Sequence, residues 1–143
     1  MQTAVATDLP ARLRLAITRS ARRLRQEADA GLSPSLTAAL ATVERHGPLT
    51  PSRLAELEAI QRPTATRLVA RLEEEGHISR TADADDRRVS HVEITREGRA
   101  LLKRLRSRKN AYLAQRLRRL DDEELATIER ATEILERLLE DAE

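Results

Sequence analysis

Apolar side chains recur at spacings of three and four along most of the chain, which is the pattern of amphipathic helices. The helices that this spacing predicts are residues 9–29, 33–47, 52–58, 62–76, 96–120 and 121–139. Two shorter stretches, residues 78–81 and 89–94, are typical of strands joined by a loop at residues 82–88. Leu49 is expected to add a one-residue third strand. The predicted order is α-α-α-α-β-β-α-α.

Capping residues support these boundaries. Ser33 and Thr50 each precede a proline, as an N-cap precedes proline at the first helical position. Asp121 precedes three further acids and is expected to cap the last helix. Gly31 is expected to end the first helix.

The composition restricts the class of protein. At 143 residues the chain suffices for one domain, with or without additional dimerising helices. It has no cysteine, which excludes disulfides and thiolate metal sites, and its one aromatic residue is Tyr112, so the core must be aliphatic. No apolar run approaches the roughly 20 residues that span a bilayer, and the N-terminus lacks the apolar core of a secretory signal. We therefore expect no membrane partner and a cytoplasmic location.

Charge is unevenly distributed, although the net charge is only +2. Residues 96–119 hold ten basic residues and one acid, whereas residues 120–143 hold ten acids and two arginines. Either the two helices pair with each other, or the basic one faces a polyanion, or both are ordinary solvated surfaces. We expect the first arginines of the basic helix to meet phosphates and its later ones to pair with the acidic helix.

The two short helices before the hairpin are typical of a helix-turn-helix. A recognition helix places its first residues against base edges in the major groove, where arginine bonds guanine and a threonine methyl group touches thymine. The expected contacts from this helix are Arg62, Thr64, Thr66, Arg67 and Arg71. The start of the preceding helix can bind a phosphate, through Thr50, Ser52 and Arg53. Taken alone, the threonines are more simply explained as ordinary first-turn residues.

The hairpin carries a tight cluster of charges. Arg87 and Arg88 lie at its tip, where arginine suits a narrow minor groove. Asp83, Asp85 and Asp86 would repel DNA, so we expect them to cap the turn and to hold an arginine. The apolar positions of its second strand are Val89, Val92 and Ile94. Helix, turn, helix and arginine-tipped hairpin, in this order, predict a mainly α winged helix-turn-helix with a two- to three-stranded β-wing.

This region resembles the MarR family of bacterial transcription regulators. The similarity to its wing signature rests on Asp83-x-x-Asp86-Arg87-Arg88-x-x-x-Val92-x-Ile94-Thr95-x-x-Gly98-x-x-Leu101. Residues 63–76 resemble its recognition helix and residues 49–55 the preceding helix, and length and element order agree over nearly the whole chain. Two departures are Ile94, where the family more often has leucine, and the scarcity of aromatics, which the family's effector pocket usually contains.

The resemblance implies a homodimeric repressor that binds a pseudo-palindromic operator in double-stranded DNA and is released by a small phenolic or anionic ligand. Residues 64–71 would enter the major groove, Arg87 and Arg88 the flanking minor groove, and Asp86 would support Arg88. Residues 1–32 would be an N-terminal dimerisation helix, residues 33–97 the DNA-binding lobe and residues 98–143 the C-terminal dimerisation helices. Apolar stripes on the terminal helices, too large for one small core, agree with dimerisation.

An effector pocket is expected between the DNA-binding lobe and the dimer helices, near residues 12–24, 36–46 and 101–112. The candidate polar lining residues are Arg14, Arg19, His46 and Tyr112. The sequence leaves open a regulator without ligand control. It also leaves open an interaction module that has lost DNA binding, which would have a degraded wing and an acidic recognition helix, and this chain has neither.

The remaining chemistry is sparse. The three histidines, His46, His77 and His91, are far apart in sequence; they could meet as a metal site, but positions at helix ends and on a strand explain them more simply. No nucleophile–base motif, glycine-rich phosphate loop or carboxylate pair stands out. We predict no cofactor, no metal and no enzymatic activity.

Overall fold

A computed structural model describes residues 8–29 and 31–141 of the chain. Within them lie six helices and one two-stranded antiparallel sheet: α1 (Leu9–Glu27), α2 (Pro34–His46), α3 (Pro51–Glu58), α4 (Arg62–Glu74), β1 (Ile78–Ala82), β2 (Ser90–Ile94), α5 (Arg96–Leu117) and α6 (Asp122–Glu140). The predicted order of elements is confirmed. Leu49 pairs with Val92 through two backbone hydrogen bonds of 3.1 and 2.7 Å, so the predicted one-residue strand is also confirmed.

The predicted N-caps are confirmed. The hydroxyl of Ser33 accepts from the Leu36 N–H at 3.2 Å, and that of Thr50 accepts from the Arg53 N–H at 3.1 Å. Asp121 and Glu124 form a reciprocal capping box at the start of α6.

Two local predictions are wrong. The first helix ends at Glu27 with Ala28 as its C-cap, so that Gly31 lies in the connection beyond it. Val89 is not an apolar strand position but part of the hairpin loop, and 36% of it is exposed. The reason is that its carbonyl oxygen accepts from the Asp83 N–H at 2.8 Å and its own N–H donates to the Asp86 carbonyl at 3.0 Å, which closes the loop before β2 begins.

The core is aliphatic, as the composition predicts. The largest fully buried side chains are Leu40, Leu54, Leu72, Val43, Val69 and Val92. They bring together α2, α3, α4 and β2, and the first half of α5 covers them with Leu101, Leu102 and Leu105. Burying one such side chain contributes about 1.5–3 kcal/mol. This small core therefore holds residues 32–105 together as one lobe.

The junction between α4, β1 and α5 is fixed by Thr95 and Gly98. The Thr95 hydroxyl donates to the Gly76 carbonyl at 2.6 Å and accepts from the Gly98 N–H at 3.1 Å, while the Thr95 N–H donates to the His77 carbonyl at 3.0 Å. Gly98 packs directly on that last carbonyl, with no room for a Cβ. Both ends of the hairpin are thereby tied to the end of α4.

The terminal helices are largely outside this core. In α1 and α6 no residue is buried. The exposed apolar side chains of α1 are Leu9, Leu13, Leu15 and Ile17, and those of α6 are Leu125, Ile128, Ile134, Leu138 and Leu139. None of the helices in the described part of the chain has the length and apolar character needed to cross a membrane.

The predicted pairing of the later basic residues of α5 with α6 is wrong for Arg106 and Arg108. Arg106 bonds Glu44 of α2 at 2.8 Å, and Arg108 donates to the Asp29 carbonyl at 3.2 Å. These residues turn toward α2 and the α1–α2 connection because α5 packs against α1 and α2. The ion pair found in α6, Arg130 with Glu133, lies within that helix.

Gly98→Ala is expected to lower the free energy of unfolding by about 1–3 kcal/mol, because the added methyl group would collide with the backbone of His77, which cannot rotate away. Urea unfolding followed by circular dichroism, at one fixed protein concentration, measures the change. Ser107→Ala, at an exposed position of the same helix, is the control. An unchanged midpoint for Gly98→Ala would contradict the close packing of α5 on the α4–β1 junction.

Candidate nucleic-acid interface

Helices α3 and α4 pack against each other through a short, tightly defined turn. Leu54 of α3 and Ala65 and Val69 of α4 are almost completely buried. Between the helices, Ala59 adopts φ 53° and ψ 45°, in the left-handed region that glycine usually occupies. The Ile60 N–H bonds the Ala55 carbonyl at 3.0 Å and holds this conformation in place. The turn sets α4 with one face in the core and the other outward.

The outward face of α4 presents its first two turns. Arg62, Thr66 and Arg67 are exposed, whereas Thr64 is partly buried. The Thr66 hydroxyl donates to the Arg62 carbonyl at 3.0 Å. The methyl group of Thr66 remains available for an apolar contact. These predicted contact residues therefore share one accessible surface at the start of the helix.

The arginines of this region differ in how they are held. Arg71 is bound by Glu75, with Nε and Oε1 2.7 Å apart, and Arg53 of α3 is bound by Glu56 at 2.9 Å. In contrast, Arg62 and Arg67 form no ion pair with any residue that the structure describes. The two unpaired guanidinium groups are the ones nearest the start of α4 and are free to bind an anion or a base.

Arg88 stands out from the hairpin tip and is held by a single carboxylate. Its side chain is 91% exposed, and its Nε and Nη2 lie 3.1 and 3.3 Å from the two oxygens of Asp86. The Arg88 N–H also donates to Asp86 at 3.1 Å. Arg87, beside it, is exposed as well. The guanidinium is oriented by Asp86 while its remaining N–H groups face solvent.

Asp83 organises the loop below this tip. Its Oδ2 accepts from the N–H groups of Asp85 and Asp86, each at 3.0 Å, and its Oδ1 lies 2.9 Å from Nε2 of His91. The contact with His91 was missed in the sequence. The strand register explains the contact, because Ala82 pairs with Ser90, which makes Asp83 and His91 diagonal neighbours on one face of the hairpin.

Hydrogen bonding keeps both aspartates ionised. The bond from His91, followed by the two backbone N–H groups, lowers the pKa of Asp83 below its ordinary value of 3.8. The Arg88 side chain, followed by its N–H, lowers the pKa of Asp86 in the same way. Since a depressed carboxyl pKa adds stability that is lost only as the pH falls through it, the loop keeps these bonds throughout the neutral range.

A cavity of about 860 Å³ lies between α1, α2 and α5, where an effector pocket was predicted. None of the predicted lining residues belongs to it. Arg14 and Arg19 precede the lining segment of α1, which begins at Ala21, and His46 lies beyond that of α2, which ends at Ala41. Tyr112 lies one turn past Lys109 and stacks under Arg116 and Arg23, 5.0 and 5.8 Å from their guanidinium carbons. Most of the cavity lining is apolar instead, and its charged members are three cations and one acid, Arg22, Arg25, Lys109 and Asp29.

The three histidines do not come together. His91 bonds Asp83, and His77 lies 3.7 Å from Glu75 at the end of α4. Among residues 8–29 and 31–141, no group of three or more histidine or acidic side chains is arranged to hold a metal ion.

A packed helix pair with an exposed cationic second helix, followed by an arginine-tipped hairpin, defines a winged helix-turn-helix protein. The family model described as MarR family matches residues 32–90. An HTH-type transcriptional regulator of Mycobacterium leprae is 30% identical over 131 residues, which cover 91% of this chain and 92% of the relative. The chain belongs to the MarR family, and it is a DNA-binding transcription regulator rather than an enzyme.

Solved structures agree. A transcriptional regulator protein of Pseudomonas aeruginosa superposes with a TM-score of 0.85 and 33% identity, covering 96% of this chain and 97% of that one. FabT of Streptococcus pneumoniae, solved in complex with DNA, superposes with a TM-score of 0.61 over 94% of each chain. At 22% identity the second comparison shows the shared fold alone.

Proposed function

We propose that two copies of this chain form a homodimer that represses transcription in the bacterial cytoplasm by binding a pseudo-palindromic operator. Residues 33–97 would bind the DNA, and residues 1–32 and 98–143 would dimerise. The observation that carries the proposal is the guanidinium of Arg88, oriented by Asp86 at the tip of a hairpin whose base is tied to the end of α4.

The start of α4 suits the major groove. Arg62 and Arg67 are unpaired among the described residues and extend from its exposed face, and Thr66 offers a methyl group. Arginine discriminates guanine through two parallel hydrogen bonds, and threonine recognises the thymine methyl. Thr64 and Arg71 would contribute less, because Thr64 is partly buried and Arg71 must first leave Glu75.

Phosphate contacts would come from the start of α3. Thr50 caps this helix, and the exposed Ser52 and Arg53 follow it within the first turn. Helix N-termini bind phosphates through free backbone N–H groups. These contacts would set the position of α4 along the duplex without reading its sequence.

The hairpin suits the minor groove. Arg88 and Arg87 are exposed at its tip, and a narrow minor groove concentrates negative potential that attracts arginine. Asp86 would otherwise repel the DNA, but its carboxylate is paired with the Arg88 guanidinium. Its proposed role is to support Arg88 rather than to contact DNA.

Dimerisation follows from the terminal helices. Both α1 and α6 expose apolar side chains and bury none, which is costly for a helix that remains in water. Their charges are complementary, since α1 contains six arginines and one glutamate and α6 contains seven acids and two arginines. We infer that these helices pair across the two-fold axis, which would place two recognition helices on successive turns of DNA.

The cavity between α1, α2 and α5 is the proposed effector site. Arg22, Arg25 and Lys109 line it without an ion pair among the described residues and outnumber its one acid, Asp29. The rest of its lining is largely alanine and leucine. This surface favours the anionic ligand over the phenolic one, because no aromatic ring is present to stack on a phenol. A ligand there would act on both lobes, since it would touch α1 and α2 together.

Arg88→Ala is expected to weaken binding to the DNA upstream of the chain's own gene by about 1–3 kcal/mol, because the minor-groove contact is lost while the fold is untouched. Fluorescence anisotropy with a labelled duplex measures the dissociation constant. Arg118→Ala, at an exposed arginine past the end of α5, is the control and should bind as the unaltered protein does. Equal affinity for both variants would remove the hairpin from the interface.

Ile128→Glu is expected to shift the protein from dimer to monomer, because it places a charge in the apolar stripe of α6. Sedimentation velocity at several concentrations measures the change. Ala126→Glu is the matched control, since residue 126 is exposed about 200° around the same helix. A dimer of unchanged stability in Ile128→Glu would show that α6 lies outside the subunit interface.

A further inference from the structure

His91 has no part in the interface described so far, yet it is fixed at the base of the hairpin loop. It lies on β2 opposite Thr81, and its side chain is only 37% exposed. Its Nε2 and the Asp83 Oδ1 are 2.9 Å apart. Since the neighbouring Val92 pairs with both Leu49 and β1, His91 lies on a strand that is paired along both of its edges at this point.

Asp83 connects His91 to the backbone of the hairpin loop. Its second oxygen accepts from the N–H groups of both Asp85 and Asp86, at 3.0 Å each. A carboxylate with both oxygens bound cannot rotate freely, so its orientation fixes the backbone at Asp86. Without His91, one oxygen of Asp83 would be released and the carboxylate would be able to turn about its own bond.

Asp86 completes the connection to the tip. Its carboxylate accepts three hydrogen bonds from Arg88, one from the backbone N–H and two from the guanidinium, at 3.1 to 3.3 Å. The Arg88 side chain is otherwise 91% exposed. A long, exposed arginine loses conformational entropy when it binds, and prior orientation reduces that loss. By holding Arg88 in one orientation, the Asp86 carboxylate therefore reduces the entropy that the arginine loses when it binds DNA.

We propose that His91 is a positioning residue for DNA binding, which orients Arg88 through Asp83 and Asp86 without touching either Arg88 or the DNA. The proposal rests on the proposed function of Arg88 in the minor groove. His91 acts as a hydrogen-bond donor, so a neutral donor of similar length should replace it. Its effect should exist only while Arg88 is present, because Arg88 is the group through which it acts.

A double-mutant cycle tests this dependence. Dissociation constants for the DNA upstream of the gene are measured for His91→Ala, for Arg88→Ala and for the variant with both substitutions. His91→Ala is expected to weaken binding about three- to tenfold, the usual effect of one hydrogen bond. In the protein that already lacks Arg88, the same substitution should have no further effect. A residue that only stabilises the fold would give independent effects that multiply.

Two further variants sharpen the experiment. His91→Gln keeps a neutral N–H donor and should bind within about twofold of the unaltered protein. Ser90→Ala, next to His91 on the same strand, is the matched control, and any effect it has should multiply with that of Arg88→Ala. Thermal unfolding followed by circular dichroism confirms that each variant is folded at the assay temperature.

The outcomes distinguish failure of the His91 role from failure of the proposed minor-groove contact of Arg88. One result is that Arg88→Ala weakens DNA binding as expected while His91→Ala has no effect, and another is that the His91→Ala effect multiplies with that of Arg88→Ala. Either result overturns the role of His91 and leaves the minor-groove contact standing. Failure of His91→Gln to restore binding overturns the hydrogen-bond mechanism. No loss for Arg88→Ala overturns the minor-groove contact and the role of His91 together.

Discussion

The contact between Thr95 and Gly76 is the constraint on which the DNA-binding surface depends. A β-hairpin of five-residue strands is marginally stable by itself, and its tip has a defined position only if its two ends do. Thr95 ties the second strand to the end of α4, and Gly98 lets α5 approach the His77 carbonyl closely enough to hold that junction. The start of α4 and the tip of the hairpin are thus held in one lobe, although two of their proposed contact residues, Arg62 and Arg88, are 26 positions apart in sequence.

Because the chain has a single aromatic residue, its core is built from aliphatic side chains. Leucine and valine fill a small core between α2 and the first half of α5, and this core is complete without α1 or α6. The terminal helices keep apolar side chains that have no place in it. In the dimer that we propose, a second copy of the chain would cover these apolar side chains, and the basic α1 and acidic α6 would have oppositely charged helices to pair with.

Local signals in the sequence were enough to predict much of the fold. The caps at Ser33, Thr50 and Asp121 were predictable because each pairs a side-chain acceptor with the N–H group three residues further on. Contacts over longer distances were not. Arg106 bonds Glu44 across 62 positions, and nothing in the local charge pattern distinguished that partner from the acids of α6.

In the candidate site, too, local contacts were predictable from the sequence and contacts between elements were not. The Asp86–Arg88 pair is local and was expected, and it is present. The bond between His91 and Asp83 depends on strand register, which the sequence did not define closely enough because Val89 was assigned to the strand rather than to the loop. The lining of the cavity depends on how three helices cross, so two of the four residues chosen for it lie before the lining segments and two lie beyond them.

The most direct test of the central claim is the binding of the purified protein to the DNA upstream of its own gene, compared with random DNA over a range of salt concentrations. A specific regulator should bind its operator at least about a thousandfold more tightly than random DNA. The logarithm of its affinity should fall linearly with the logarithm of salt concentration, because arginine–phosphate contacts release counterions. Equal, weak affinity for both DNAs at every salt concentration would contradict the proposal that this chain reads an operator at its own promoter.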